Sequence, residues 1–192
     1  MLNGGEFVTM SGDKYTVDKW DLIIAHPPCT YLSNAGAVRL YHGTEIVTFQ
    51  STDFRLMNES RIKEGIKARD FFLECLNSNA AHIAVENPIP SRLWCMPEYT
   101  QVIQPYEHGH PYKKKTCLWL KNLPLLQPTK VIKPEKVWVS GGVHNRTTGK
   151  HAHGFRDAKT RSKTFEGIAK AMAKQWGDYL TGKTDKQLSF FE

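Results

Sequence analysis

Two short apolar runs most constrain how this chain folds. They are Asp21–Ala25 and His82–Glu86, and each is followed within a few residues by two prolines. Continuous runs of this length predict strands that are buried on both faces. Between them, Glu59–Leu76 has apolar residues at helical spacing and follows Asn58, a residue type that caps helices. The order strand, helix, strand predicts two parallel strands joined by a right-handed crossover. The apolar residues of the helix are Ile62, Ile66, Phe72, Leu73 and Leu76.

The rest of the chain carries weaker structural signals. Val102–Gln104 and Thr116–Leu120 are typical of short strands, and the polar stretch between them is compatible with a hairpin. A final helix is predicted after Thr164 as the capping residue, and Gly182 is expected to stop it. The fold class is therefore α/β, with parallel strands and a crossover helix, then a hairpin and a C-terminal helix. The apolar positions of the final helix are Phe165, Ile168, Met172, Trp176 and Tyr179.

Length and charge set the domain organisation. The 192 residues predict a single domain over 1–192, with a frayed tail at 183–192. The net charge is +7, and residues 129–163 contain nine basic and two acidic side chains, which account for all of the excess. Such a basic loop segment indicates either a surface that binds a polyanion or a solvated loop. The charge pattern alone leaves both alternatives open.

The residues also exclude several classes of protein. Four cysteines with no C-x-x-C pair are too few to build a disulfide framework in a chain of this length. We find no secretory signal and no apolar run long enough to cross a membrane, so the sequence predicts a cytoplasmic protein with no membrane partner. His108 with His110, and His151 with His153, match no metal module, so we expect solvated loop histidines and no metal.

Four aromatic residues are candidate platforms for stacking on bases: Trp94, Trp119, Trp138 and Phe155. Trp119 lies within an apolar strand, which favours packing in the core. Trp138 and Phe155 lie in the basic segment and remain candidates for stacking. The stretch Ala37–Asn58 shows little periodicity, and we expect it to be a mobile loop.

The residues that follow the two buried strands carry the chemistry. His26-Pro27-Pro28-Cys29 follows the first strand, and Glu86-Asn87 follows the second. Parallel neighbouring strands end at the same edge of a sheet, so this thiol and this carboxylate are expected at one edge. A cysteine held behind two prolines is a candidate nucleophile. Taken alone, Cys29 would more often be a small buried hydrophobic residue, and Glu86 a capping or ion-pairing carboxylate.

At these residues the chain resembles the DNA cytosine-5 methyltransferases. Pro27-Pro28-Cys29 resembles their nucleophile motif, and Glu86-Asn87-Pro88 resembles two of the three residues of their second catalytic motif. More closely, the chain is similar to the compact cytosine methyltransferase-like proteins of bacteriophages and prophages. That similarity extends over nearly the whole chain: Ile24–Leu32, Ala84–Ile89, Ile103–Tyr106, Leu118–Lys121 and Ser162–Trp176.

The resemblance implies a partial Rossmann-like methyltransferase sheet and a reaction on DNA. Cys29 would attack C6 of cytosine, Glu86 would hold or protonate N3, and Asn87 would orient the glutamate or the backbone around it. The base would be flipped into the pocket, and basic residues would hold the phosphates. We expect His26, Pro27 and Pro28 to support the nucleophile. The basic residues expected to bind DNA are Lys113, Lys114, Lys115, Arg146, Lys150, Arg156, Lys159, Arg161 and Lys163.

The methyl donor of these enzymes is S-adenosylmethionine, which they bind through an earlier strand, a glycine-rich loop and a helix. Only about 20 residues precede the first buried strand here, fewer than the ~30 of a strand–helix–strand unit. We therefore expect the cofactor-binding half to be missing, so that the donor is held by an abbreviated site or by a partner chain. Two alternatives follow. One is an inactive protein that binds nucleic acid or another protein, such as a phage-encoded inhibitor of host defence. The other is that the given sequence starts late relative to its coding sequence.

Overall fold

The computed structural model describes residues 2–49, 52–137 and 162–183. The protein is mixed α/β, with parallel and antiparallel strand pairs and two α-helices in the described part of the chain. It divides into two compact units. Unit 1 lies within Met1–Gln101 and Thr116–Leu123, and unit 2 lies within Val102–Lys115 and Pro124–Glu192.

The described elements follow one another in the order strands, helix, strands, helix. They are β1 (Gly5–Val8), β2 (Lys14–Val17), β3 (Leu22–Ala25), β4 (Tyr41–Phe49), β5 (Thr52–Met57), α1 (Glu59–Leu76), β6 (His82–Pro88), β7 (Gln101–Ile103), β8 (Tyr112–Lys113), β9 (Thr116–Lys121), β10 (Lys136–Val137) and α2 (Glu166–Leu180). Short 3-10 helices cover Asn34–Leu40, Arg92–Trp94 and Pro105–Glu107.

The centre of unit 1 is the strand β6, which pairs with β3 in parallel and with β9 in antiparallel orientation. The predicted parallel pair with a helix between its strands is therefore confirmed. Burial on both faces is confirmed for β6, where Ile83 and Val85 are fully buried. It is wrong for β3, where Ile24 is 37% exposed. The reason is position: within the described residues β3 is the outermost strand of its sheet, so fewer neighbours cover it.

The helix α1 begins and ends where the sequence predicts. Asn58 caps it, with its side-chain oxygen accepting a hydrogen bond from the backbone N–H of Arg61 at 3.1 Å. The buried stripe is offset from the predicted one: it includes Phe72 and Cys75, whereas Ile66 is 47% exposed. Phe72 meets the ring of Trp119 edge-on, with 4.8 Å between the ring centroids. Trp119 is 2% exposed, which confirms that it packs in the core.

The described residues of the segment Ala37–Asn58 do not form a loop, so that prediction is wrong. A 3-10 helix ends at Leu40, and β4 and β5 then pair antiparallel. The run from Ile46 to Phe49 is rich in β-branched and aromatic residues, a composition that favours a strand despite weak alternation. The N-terminal residues form a second hairpin, in which β1 pairs antiparallel with β2.

Unit 2 contains the predicted C-terminal helix, α2. Its N-cap is Phe165, one residue after the expected Thr164, and Gly182 follows its end with a φ of +69°. A positive φ favours glycine and stops the helix. The buried face holds Ile168, Met172 and Trp176, as predicted, but Tyr179 at the last turn is 39% exposed. Among the described residues, neither helix has the length and apolar character needed to span a membrane.

Candidate active site

The ends of β3 and β6 bring the two predicted catalytic segments to one edge of the sheet in unit 1. The parallel register pairs Ala25 with Val85, so His26 and Glu86 come next on the two strands. Both strands run in the same direction, and therefore the segments that follow them leave the sheet at the same edge. This is the placement expected for the Pro-Pro-Cys and Glu-Asn segments.

A direct contact joins the two strand ends. Nδ1 of His26 lies 3.0 Å from Oε2 of Glu86. The side chain of His26 is 38% exposed and that of Glu86 is 14% exposed, so the carboxylate is the more enclosed partner. The sequence predicted that His26 supports the nucleophile segment but did not identify Glu86 as its partner. The sequence contained a signal for this contact, because His26 and Glu86 each directly follow the last apolar residue of one of the two buried strands.

Asn87 makes a second link between the same segments. It is 2% exposed, and its Nδ2 donates a hydrogen bond to the backbone oxygen of Pro27 at 3.0 Å. Asn87 thus holds the backbone of the Pro-Pro-Cys segment. The resemblance implied that this asparagine orients the glutamate or nearby backbone, and the second of these fits the observed bond. Its side-chain oxygen is buried and has no hydrogen-bond partner among the described residues.

The segment that carries Cys29 is fixed by its own backbone. The backbone oxygen of Cys29 accepts a hydrogen bond from the N–H of Ser33 at 3.0 Å, which closes a tight turn. Leu32, inside this turn, is fully buried. Pro27 is buried and Pro28 is exposed, whereas Cys29 is partly buried. None of the four cysteines, all of which the structure describes, forms a disulfide, so Cys29 has a thiol.

Two side chains from outside the segment also hold it. Nη2 of Arg61 donates to the backbone oxygen of Thr30 at 3.1 Å, and its guanidinium lies 4.8 Å from the centre of the Tyr31 ring. Nε1 of Trp94 donates to the backbone oxygen of Tyr31 at 2.9 Å. Sequence reasoning missed both roles, because neither Arg61 nor Trp94 lies in a recognisable motif.

The predicted DNA-binding lysines that the structure describes lie in unit 2. Lys113 and Lys115 are exposed, and Lys114 is half-buried with its Nζ 5.9 Å from the centre of the Phe165 ring. Lys163 is exposed. The other predicted DNA-binding residues lie outside the described residues: Arg146, Lys150, Arg156, Lys159 and Arg161. Trp138, Phe155, His151 and His153 also lie outside the described residues.

The sequence predicted that His108 and His110 are both solvated. For His108 this prediction is wrong. His108 is 4% exposed and its Nδ1 lies 3.2 Å from the hydroxyl of Thr129. His110 accepts a hydrogen bond through Nε2 from the backbone N–H of Gly167 at 2.9 Å. Burial lowers the pKa of His108, and the neighbouring His110 lowers it further. No cluster of three metal-binding side chains occurs in the part of the chain that the structure describes.

The segment before β3 does not fit S-adenosylmethionine. The resemblance implies a glycine-rich loop that leads into a helix, but residues 5–17 form the β1–β2 hairpin. Gly4 has a φ of +87°, and a Cβ there would lie 2.3 Å from the backbone oxygen of Val17. A glycine is therefore required at this position by the close approach of the Val17 backbone, and it is not evidence for a bound ligand. The described residues of this segment offer no cradle for the methyl donor.

The described site consists of a thiol and a carboxylate on segments that are fixed to each other at one edge of a mixed sheet. No family model matches this sequence, and neither a curated protein nor a solved structure matches it. The assignment of a function therefore depends on the chemistry of this edge.

Proposed function

We propose that this protein is a DNA cytosine-5 methyltransferase-like protein that engages DNA and attacks cytosine through Cys29. The observation that supports the proposal is the junction of the two segments: Glu86 contacts His26, and Asn87 binds the backbone of Pro27. These two bonds put the thiol-bearing and carboxylate-bearing segments in a fixed relation. Such preorganisation is what a nucleophile and an electrostatic stabiliser require.

The proposed step is the addition of the Cys29 thiolate to C6 of a flipped cytosine. A bond forms between sulfur and C6, and the electron pair of the C5–C6 double bond moves towards C5 and the ring. Glu86 holds or protonates N3, which stabilises the charge that develops in the ring. His26 holds the Glu86 carboxylate through its Nδ1. The enamine carbon C5 then takes an electrophile. Loss of the original C5 hydrogen as a proton to water and elimination of the thiolate from C6 restore the aromatic ring.

The rest of the assignment belongs to the same proposal. The sheet would be a partial Rossmann-like methyltransferase sheet, and the basic segment at residues 129–163 would contact DNA phosphates. The protein would work in the cytoplasm, where its four cysteines, none of which forms a disulfide, stay reduced. S-adenosylmethionine would supply the methyl group. Because the segment before β3 does not fit this donor, we expect residues outside this segment, or a partner chain, to hold it.

A test of the attack needs no methyl donor. Once the thiolate has added to C6, C5 takes a proton from water, and loss of the original C5 hydrogen followed by elimination regenerates cytosine. DNA that carries tritium at C5 of cytosine should therefore release tritium into water when the protein is added. We expect Cys29→Ser to lower this release at least about 100-fold, and Glu86→Gln to lower it by a factor of roughly 100.

The matched control is Cys95→Ser, which removes an exposed free thiol from the same unit. It should release tritium at the wild-type rate. Equal release by wild type and Cys29→Ser would remove Cys29 as the nucleophile. Absence of release by every protein, on single-stranded and duplex DNA, would contradict the proposed chemistry.

A second function is favoured by the β1–β2 hairpin before β3, whose described residues offer no cradle for a methyl donor. The protein would then be an inactive methyltransferase-fold protein that binds nucleic acid or a protein, for example a phage-encoded inhibitor of host defence. Calorimetry with S-adenosylmethionine and with its demethylated product separates the two functions. Micromolar binding by the isolated chain would count against the inactive protein, whereas DNA binding without donor binding or tritium release would support it.

A further inference from the structure

A groove of about 650 Å³ opens in unit 1 beside the candidate active site. We call it the Arg92 groove. Its volume lies within the range of ~300–1,000 Å³ that is typical of small-ligand sites. The residues that line it include Asn34, Tyr41, Pro90, Ser91, Arg92 and Leu93.

The walls of the Arg92 groove continue the two segments of the candidate active site. The backbone N–H of Asn34 donates to the backbone oxygen of Ile89 at 2.8 Å. Asn34 lies five residues after Cys29, and Ile89 lies three residues after Glu86. At about 3.3 Å per extended residue, Ile89 is at most roughly 10 Å from Glu86 along the chain. The groove therefore adjoins the active-site edge.

The side chain of Arg92 is presented by a rigid turn. Ser91 and Trp94 on either side of the turn are buried, at 7% and 5% exposure, so Arg92 and Leu93 between them face solvent. The N–H of Ser91 donates to the backbone oxygen of Leu32 at 2.8 Å. Nε of Arg69 donates to the backbone oxygen of Trp94 at 2.9 Å. These bonds fix the position from which the guanidinium extends.

The groove has the charge and the surface of a site for a nucleotide. The backbone oxygen of Arg92 accepts a hydrogen bond from the N–H of Cys95 at 3.1 Å, but its guanidinium makes no hydrogen bond or ion pair with any other described residue, so its donors are available. The guanidinium of Arg55 lies 4.7 Å from the centre of the Tyr41 ring, which adds a second positive charge. None of the described residues that line the groove is a carboxylate. Tyr41 and Leu93 supply apolar surface for a base or a sugar, and Asn34 supplies an amide.

We propose that the Arg92 groove binds a nucleotide that flanks the target cytosine, with Arg92 contacting its phosphodiester. This inference rests on the proposed function, because it takes DNA as the ligand. Arg92 lies six residues after Glu86, at most about 20 Å along an extended chain. Successive nucleotides of one strand of B-DNA are about 3.4 Å apart, so this span places the contact within roughly six nucleotides of the cytosine. A fork-shaped guanidinium is suited to a phosphodiester, which accepts two hydrogen bonds from it.

The first test measures binding of a fluorescent single-stranded oligonucleotide that contains one cytosine. We expect Arg92→Ala to weaken binding roughly three- to tenfold and to reduce the slope of log affinity against log salt by about 0.7, the value for one phosphate contact on a single strand. The matched control is Lys121→Ala, which removes an exposed positive charge at the opposite edge of the sheet, where Lys121 pairs with Ile83. It should leave both quantities unchanged.

The second test locates the contact on the DNA. In a series of oligonucleotides, a neutral methylphosphonate replaces one phosphate at a time. We expect one replacement within about six nucleotides of the cytosine to weaken binding to the wild type and to have no effect on Arg92→Ala. If every replacement weakened binding equally in both proteins, Arg92 would not contact a phosphate and the inference would be overturned.

The two proposals fail differently. Tritium release by the wild type together with unchanged oligonucleotide affinity in Arg92→Ala would overturn the groove inference and leave the proposed function intact. Failure of the wild type both to bind oligonucleotides and to release tritium would overturn the proposed function, and with it the groove inference. Arg92 is exposed, so its replacement should not change the thermal unfolding of the protein, which checks that the variant is folded.

Discussion

His26 in unit 1 and His108 in unit 2 lie in opposite surroundings. The His26 side chain is 38% exposed and meets a carboxylate, whereas His108 is 4% exposed and meets a hydroxyl. Near His108, His110 accepts a hydrogen bond from the first turn of α2. The pair of His26 and Glu86 at the strand ends is only partly buried, so solvent reaches it. The buried pair holds part of the fold together.

The difference between the two regions shows that the role of a histidine cannot be predicted from its residue type alone. A strand-end histidine next to a motif and a histidine in a polar loop look similar in the sequence. What separates them is the burial that the tertiary structure imposes. If this distinction is correct, changes around His108 should alter stability most, and changes at His26 should alter chemistry.

The largest expected effect on stability is that of Gly167→Ala in unit 2. A Cβ at Gly167 would lie 2.0 Å from the backbone oxygen of His108 and 3.0 Å from Nε2 of His110. Since a backbone atom cannot move aside cheaply, we expect the free energy of unfolding to fall by about 3 kcal/mol. Denaturant unfolding followed by tryptophan fluorescence measures this loss, because Trp176 is fully buried in the same unit.

The control for this variant lies in the same helix. Gly177 has no atom within 4 Å of the position of an added Cβ. Gly177→Ala should therefore stabilise the protein by up to ~1 kcal/mol through helix propensity. Equal effects of the two variants would show that the contact of α2 with the histidine pair does not matter for stability.

The second prediction concerns the pH dependence of stability. Because burial lowers the pKa of His108 below its ordinary value of 6.5, the unfolded chain binds a proton more readily than the folded protein does. The contribution of His108 is complete above about pH 6.5 and is lost as the pH falls towards the pKa of the folded state. Urea unfolding at several pH values should show a slope below pH 6.5 that does not exceed ~1.4 kcal/mol per pH unit for this group.

Two variants identify the source of this slope. His108→Gln keeps a polar side chain but cannot be protonated in this range, so part of the slope should disappear. His42→Gln removes an exposed histidine of unit 1 and should leave the slope unchanged. A slope that survives in His108→Gln would mean that other groups produce the pH dependence.

Much of unit 1 could be predicted from the sequence, because its signals are local. The apolar runs gave β3 and β6, and the cap at Asn58 gave the start of α1. The placement of Cys29 and Glu86 on segments that leave one edge of the sheet follows from the parallel pairing of the two strands. These features depend on residues close together in the chain and on a general rule for parallel strands.

The predictions that were wrong or incomplete depend on contacts between distant residues. Arg61 and Trp94 fix the nucleophile segment from 31 and 63 residues away, and no spacing in the sequence indicates either bond. The burial of His108 requires the neighbouring Thr129 segment to cover it. The strands β4 and β5 were missed because their pairing with each other, rather than regular alternation, defines them.

We expect His26→Ala to have the smallest effect on stability and a larger effect on the rate of tritium release. The contact with Glu86 is an ion pair or hydrogen bond of a partly exposed side chain, so we expect His26→Ala to change the free energy of unfolding by less than ~1 kcal/mol. In contrast, loss of the contact frees the Glu86 carboxylate. We expect the release of tritium from C5 to fall by roughly tenfold, a modest loss for a residue that acts through another.

A rescue experiment separates positioning from a merely structural role. Gln in place of His26 retains an N–H that can donate to the Glu86 carboxylate, so His26→Gln should recover part of the rate that His26→Ala loses. In Glu86→Gln protein, a further His26→Ala change should have little additional effect, because the two residues act as one unit. If the two changes instead multiplied their effects, or if His26→Gln were as slow as His26→Ala, His26 would not position Glu86, and the exposed histidine would differ from the buried one only in its surroundings.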